Sequence, residues 1–389
     1  AETATLFKFI PYANQRFFYL STLLILISPT SQAACSDPAG PNVDWFECNL
    51  PGIELQGKDL SGANLGLANL DNSNLSQANL RGATLTGTRL NGAKMQGAAL
   101  DNADPRWAEL AGADLSGASL RQANLSDTKL PRAQLQSANL SGSSLVHADL
   151  SHCNCKQATL EHANLTATNL SQANLFGANL NRSNLGNSDL QGANLIQAVI
   201  QQSNLAWANL NGANLSSSDL SDSNLAHITL HQTVMKWANL NRSNLSDAKF
   251  SQSSLTAVSF VDSVLSRADF SNTILRWVDF SHADLSDADL SDADMAAEHV
   301  IKRTSFASAN LQRTRFDRTN MSGADLRQSD LRGASLIQTI LENADLSTAT
   351  WTDGATCLEP SRGECIKDKN KIKAILEKQQ EEPVFELIR

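Results

Sequence analysis

A single elongated solenoid is the fold that this 389-residue chain predicts, and three observations carry it. From Leu50 to Met295 every fifth residue is large and apolar. Of these 50 centres, 40 are Leu, four Phe, three Met and one Ile, with Pro105 and Cys155 as the departures. Two residues before each centre stands Ala, Ser or Thr in nearly every repeat, and one before it Asn or Asp predominates, as in SGANL and SDADL. Neither regular period accounts for a step of five. A helix would scatter such centres around its cylinder, and a strand would send successive centres to opposite faces. The chain must therefore turn a corner every five residues and return its Leu and small residue to a common interior. Asn and Asp suit such corners because their side chains bond nearby backbone groups.

Composition agrees with one ordered domain and names no activity. Length alone suggests two or three globules, an expectation that a pervasive repeat replaces. Charged residues make up 18%, too few for a coiled coil or an acidic disordered chain. Gly 20 and Pro 9 exclude collagen and Gly/Pro low complexity. A net charge of −9 argues against nucleic acid as a partner.

Residues 1–33 read as a signal peptide. Lys8 and Arg16 precede the uncharged run FFYLSTLLILI (17–27), and small residues follow to Ala33 and Ala34. As a helix the run reaches about 16 Å against about 30 Å of hydrocarbon, so no stable membrane span is expected. The same run also reads as an apolar helix packed on the domain. Cys35 next to Ala34 raises lipid anchoring as a further alternative, although Gln32 stands where lipoprotein signals carry an aliphatic residue.

The repeat body resembles the pentapeptide-repeat family, whose motif reads A(D/N)LXX, over residues 48–351. The resemblance implies an all-β fold, a right-handed quadrilateral parallel β-helix with four pentapeptides to each 20-residue coil. About 15 coils at about 4.8 Å each would make a rod of roughly 70 Å. Within it, Pro105 should remove one ladder bond and loosen the rod locally. Phe250 should stack on Phe270, and Phe260 on Phe280, each pair being 20 residues apart. The register slips at 296–305, where Phe306 follows Met295 by eleven residues. Counting Val300 as a centre makes this two repeats with one residue extra, read as a bulge or small loop that is either tolerated or functional.

Both ends of a solenoid need closing. Residues 34–49 form the expected front cap, with Trp45 and Phe46 over the first coil. Residues 352–389 form the rear cap. ATWTDGATCLEPSRGEC resembles the terminal signature of exported members of the family, and Ile372, Ile375 and Leu376 lie at helical spacing beyond it. This short C-terminal helix reads as a lid or as a surface for homo-oligomers. In an exported chain, Cys357 with Cys365 and Cys35 with Cys48 are candidate disulfides. The first would contribute about 2–3 kcal/mol. Cys153 and Cys155 occupy the minus-two and centre positions of one repeat. They read as buried small hydrophobes rather than as a metal cluster with His152, which should point outward.

No residues assemble into a catalytic, cofactor or metal motif: Ser recurs only as repeat filler, and the remaining His are scattered. No enzyme and no cofactor are expected. One surface feature stands out. Lys236-Trp237 and Arg276-Trp277 are 40 residues apart, two coils on one face, and an exposed Trp beside a cation is a common partner anchor. Trp207 and His227 pair on the opposite face. The chain thus reads as a noncatalytic, exported scaffold, periplasmic or secreted, that binds a protein. The alternative, implied by the resemblance, is a DNA mimic that binds gyrase. Against it, the solenoid carries only −7, whereas DNA of about 70 Å carries roughly 40 charges.

Overall fold

The computed structural model describes residues 35–296, 303–371 and 373. The signal-like segment 1–33, Val300, Ile372, Ile375 and Leu376 lie outside the described residues. The chain is a right-handed quadrilateral β-helix in which nearly every residue before a centre bridges its counterpart one coil on, usually 20 positions later. Asp44 pairs with Asn64, Asn64 with Thr84, and so on in parallel register. Most sides contribute only such single bridges. Among the described residues, two lengthen into strands, β1 (Ser254–Thr256) and β2 (Ile274–Arg276), paired with Leu255 against Leu275.

The five residues of a repeat have distinct tasks. The centre and the residue two before it are buried, as in Leu65 and Ala63, both at 0% exposure. The residue between them points outward and anchors the next corner through its side chain. Asn169, for example, accepts the Ser171 backbone N–H at 3.0 Å and the Ser171 hydroxyl at 2.7 Å. The next two residues form a turn closed by a bond such as Ala173 N–H to Leu170 C=O, 3.0 Å. Its second residue has positive φ, 57° at Gln172, as a type II turn requires. The Asn side chains also bond from coil to coil: Asn204 donates to Asn184 at 2.9 Å and Asn224 to Asn204 at 3.1 Å.

The aromatic core follows the 20-residue register. Phe250 stacks on Phe270 with centroids 4.4 Å apart, Phe260 on Phe280 at 5.1 Å, and the two columns meet edge to face. Pro105 is buried in its centre position, and the bridge between residues 104 and 124 is missing there. The neighbouring Trp107 N–H to Ser126 C=O bond stretches to 3.4 Å, while the coil continues. Pro105→Leu is therefore expected to stabilise the protein by about 1 kcal/mol, one regained hydrogen bond, read as a raised urea midpoint.

The structure corrects three expectations. The coil begins before Leu50. Trp45 occupies a centre position at 2% exposure, bridging starts at Asp44, and only the residues before them act as a cap. Cys35–Cys48 closes that cap, and the Trp45 indole N–H donates to Asp37 C=O at 3.3 Å. The buried Cys153 and Cys155 are not free thiols but bonded to each other. Side chains two apart on one side of the coil both enter the core, and their Cα atoms lie 5.7 Å apart, within disulfide range.

The slip is also larger than one residue. Phe306 stacks on Phe280, and Ser305 bridges Asp279, both separated by 26. Met295 and Phe306 are thus adjacent corners, and the sequence between them is six residues longer than one repeat. Two repeats and a bulge would instead have placed Phe306 above Leu285. Deleting 297–302 joins Ala296 to Arg303 and writes a regular repeat, Ala-Arg-Thr-Ser-Phe, with Thr304 already buried at the minus-two position. The deletion is expected to fold with an unchanged circular dichroism spectrum and to gain up to about 1 kcal/mol from the shorter chain joining Ala296 to Arg303.

At the far end the chain reverses, and the bridges Asp345–Arg362 and Thr350–Thr356 are antiparallel. The Leu346 N–H donates to Ser361 C=O and Thr348 N–H to Cys357 C=O, so this segment covers part of the last coil. Cys357–Cys365 pins it, and helical backbone begins at residue 369. Leu336 and Leu341 on the other sides stay half-buried, beside exposed Ile337 and Ile340. Among the described residues, no helix is long and apolar enough to cross a membrane.

Candidate interaction surface

Most sides of the coil end in two turn residues of which at least the second faces solvent, so function on this rod must be sought at its corners. Lys236 and Trp237 form one such corner. The Trp237 N–H donates to Thr256 C=O at 3.0 Å, and the Ala257 N–H donates to Arg276 C=O at 2.9 Å. Lys236-Trp237, Thr256-Ala257 and Arg276-Trp277 are therefore consecutive rungs on one face, the last reached by β2. Trp237 is 63% exposed. Trp277 is half-buried, and Arg276 is engaged by Asp294 at 3.0 Å. The face thus presents one prominent indole, Trp237, rather than two.

The opposite corner carries more than the single pair expected there. Trp207 stacks on His227 with centroids 4.0 Å apart, and His227 lies 3.8 Å from Asp247. Asp247 receives Arg267 at 2.6 Å, and two coils further Arg313 meets Asp287. The hydrogen bonds from Arg267 and Arg313 hold the Asp247 and Asp287 carboxyls below the ordinary range. Earlier on the same corner, Trp107 is 54% exposed with the Arg106 guanidinium 5.3 Å from its ring centre. Asp104 fixes Arg106 through two hydrogen bonds of 2.8 and 2.7 Å. Sequence reasoning passed over this residue, although Arg106-Trp107 repeats the cation–Trp dipeptide of the other two sites at the same turn positions.

The acidic run from Asp284 to Asp294 does not form a bare negative band. Asp287, Asp289 and Asp292 are paired with Arg313, Arg315 and Arg318 on the following coil, at 2.6, 2.9 and 2.6 Å. Asp294 takes Arg276, and Asp284 accepts Asn310. Among the described residues no group of His, Cys, Asp and Glu is arranged to hold a metal ion. His152 lies on the surface at a positive-φ turn, away from the bonded Cys153 and Cys155.

Comparison with known proteins agrees with this geometry. The family described as Pentapeptide repeats matches in eight copies, over residues 46–77, 68–104, 108–145, 143–182, 178–216, 218–256, 259–295 and 303–349. HetL, a pentapeptide repeat protein involved in heterocyst differentiation regulation in the cyanobacterium Nostoc sp. strain PCC 7120, is 27% identical. That similarity covers 68% of this chain and 91% of HetL, with a TM-score of 0.31. A pentapeptide repeat protein of the Arabidopsis thaliana thylakoid lumen is 30% identical over 31% of this chain and 70% of its own, TM-score 0.14. QnrB1, a plasmid-mediated fluoroquinolone resistance protein, is 21% identical over 49% of this chain and 91% of its own, TM-score 0.25. No curated protein matches the chain. The five-residue period, the 20-residue coil and the eight matched segments make this chain a member of the pentapeptide repeat family.

Proposed function

We propose that the protein is a noncatalytic, exported scaffold that binds a protein partner through its corner surfaces, with Trp237 as an anchor. The observation that carries export is the pairing of all six cysteines in disulfides, two of which close the ends of the rod. Such bonds persist in oxidising compartments such as a periplasm or the extracellular space. Recognition at Trp237 rests on an indole exposed over most of its surface, a residue type enriched at binding hot spots. The DNA-mimic alternative finds less support, because the densest acidic coil is matched by arginines one coil on.

Two measurements test this reading. Fractionation with N-terminal sequencing should find a mature chain starting at Ala34 or Cys35 with no free thiols. A cytosolic chain retaining residues 1–33 would refute export. Pull-down from an envelope fraction should lose its specific partner when Trp237→Ala is combined with Trp277→Ala. Equal recovery of every partner would remove that face. Inhibition of gyrase supercoiling at stoichiometric protein would restore the alternative. Self-association through the C-terminal segment is proposed as a secondary property, read by light scattering of the full chain against one ending at residue 368.

A further inference from the structure

Along much of the rod, opposite charges at one turn position meet on adjacent coils and cancel. Arg242 reaches Asp222 at 2.7 Å, Arg267 reaches Asp247 at 2.6 Å and Arg313 reaches Asp287 at 2.6 Å. The corner formed by residues 101, 121, 141 and 161 departs from that rule. Asp101, 5% exposed, lies between Arg81 at 3.1 Å and Arg121 at 3.3 Å, so one carboxylate serves two guanidiniums. Burial alone would raise its pKa. Hydrogen bonds from the Ser119 hydroxyl, the Arg121 backbone and side chain, and Arg81 outweigh that and hold it ionised.

The next rung breaks the alternation. It carries Ser141 and Gly142, and only the rung after it carries Glu161 and His162, 3.9 Å apart. Ser141 turns its hydroxyl back to Asn139 at 2.7 Å. Gln122 lies along Gly142, where an added Cβ would come to 3.5 Å from its Cγ. Arg121 and Glu161 therefore stand two coils apart, about 10 Å, with the smallest side chains between them. Neither has a partner across that gap, and their side chains remain 59% and 40% exposed. The residues from Asp101 to His162 at this corner line an open groove of about 570 Å³, with Arg121 at one end, Glu161 at the other and Ser141 and Gly142 between them.

We propose that this groove binds an ω-amino carboxylate, its carboxylate on Arg121 and its primary ammonium on Glu161. A guanidinium whose Nε is held by Asp101 keeps its terminal N–H groups in fork geometry for a carboxylate. Glu161 supplies the acceptor that an ammonium needs, and the Ser141–Gly142 gap accommodates an aliphatic spacer. Two sources present this chemistry: a free zwitterion, and a polypeptide ending in lysine, which joins its α-carboxylate to an ε-ammonium. The proposal does not depend on where the protein resides.

The test is a titration of the full chain, followed by backbone NMR, with 6-aminohexanoate, hexanoate and hexylamine. Saturable binding of 6-aminohexanoate is expected, with shifts centred on residues 121, 141, 142 and 161 and at least tenfold weaker binding of the two singly charged compounds. Ser141→Arg extends an arginine into the gap toward Glu161 and should abolish binding with an unchanged circular dichroism spectrum. Arg121→Gln should weaken 6-aminohexanoate at least tenfold and leave hexylamine unaffected. Competition by a peptide ending in lysine, lost when that end is amidated, assigns the polypeptide source, and its failure beside 6-aminohexanoate binding assigns the free molecule. Equal titration by all three compounds, no saturable shift, or unchanged binding in Ser141→Arg would overturn the proposal.

Discussion

Replacing Phe270 with alanine is expected to cost about 4 kcal/mol of stability, the middle of the range for a buried aromatic. The ring is fully buried, stacks on Phe250 and makes edge contacts with Phe260 at 6.0 Å and Phe280 at 5.6 Å. It therefore joins both aromatic columns, and alanine would leave a cavity that neighbours on a rigid coil cannot fill. Phe270→Leu, which restores the residue found at most centres, is expected to cost only about 1 kcal/mol. Urea unfolding checks the magnitude, and hydrogen exchange checks the place. A coil contacts only its neighbours, so exchange should accelerate around residues 250–290 and stay slow near residue 100. Equal losses for the Ala and Leu variants would mean that ring stacking, not volume, carries the effect.

The interior was legible because each repeat writes its own structural instructions. A residue such as Leu170 needs an inward direction, Thr168 must be small enough to share the interior with it, and Asn169 must bond the turn that follows. All three requirements fall within five residues, so local sequence suffices. The ends and the slip were less legible because they depend on pairing between coils. Trp45 does not look like a repeat centre until Asp44 is seen bridging Asn64. The step of eleven residues from Met295 to Phe306 divides equally well into two repeats plus one residue or one repeat plus six. Pairing between coils, the stacking of Phe306 on Phe280 and the bridge of Ser305 to Asp279, decides between them.

Surface properties were partly legible for the same reason. A 20-residue coil correctly set Trp237 and Trp277 on one face and Trp207 beside His227. It could not give the depth of each ring: Trp277 is half-buried while Trp237 stands out. Net charge was a poor guide as well. The run of aspartates from Asp284 to Asp294 looks bare in one dimension, but the 26-residue offset brings Arg313, Arg315 and Arg318 against three of them. The corner at Arg121 and Glu161 shows the converse, since opposite charges that would cancel one coil apart stay separate at two.

Removing the terminal bridge by combining Cys357→Ser with Cys365→Ser is expected to cost about 2.5 kcal/mol, the closure entropy of its short loop. The loss should be local. Cys357 is fully buried, its N–H donates to Ala349 C=O at 2.8 Å, and its C=O accepts Thr348 N–H at 2.9 Å. Freeing the loop uncovers those backbone groups and the apolar end of the last coil, an edge open to pairing with another chain. Concentration-dependent light scattering should rise before the far-ultraviolet signal of the rod changes. The Cys153–Cys155 bond provides the contrast, because it joins residues two apart and constrains little of the unfolded chain. Combining Cys153→Ala with Cys155→Leu restores the repeat at a site that already buries both side chains, and should change the urea midpoint little. Dithiothreitol applied to the unmodified protein should therefore add to the behaviour of the terminal variant only the opening of the front cap closed by Cys35–Cys48. If the rod itself melted on reduction, the coils would be held by their internal disulfide rather than by the ladder and core, and the repeat would not be self-supporting.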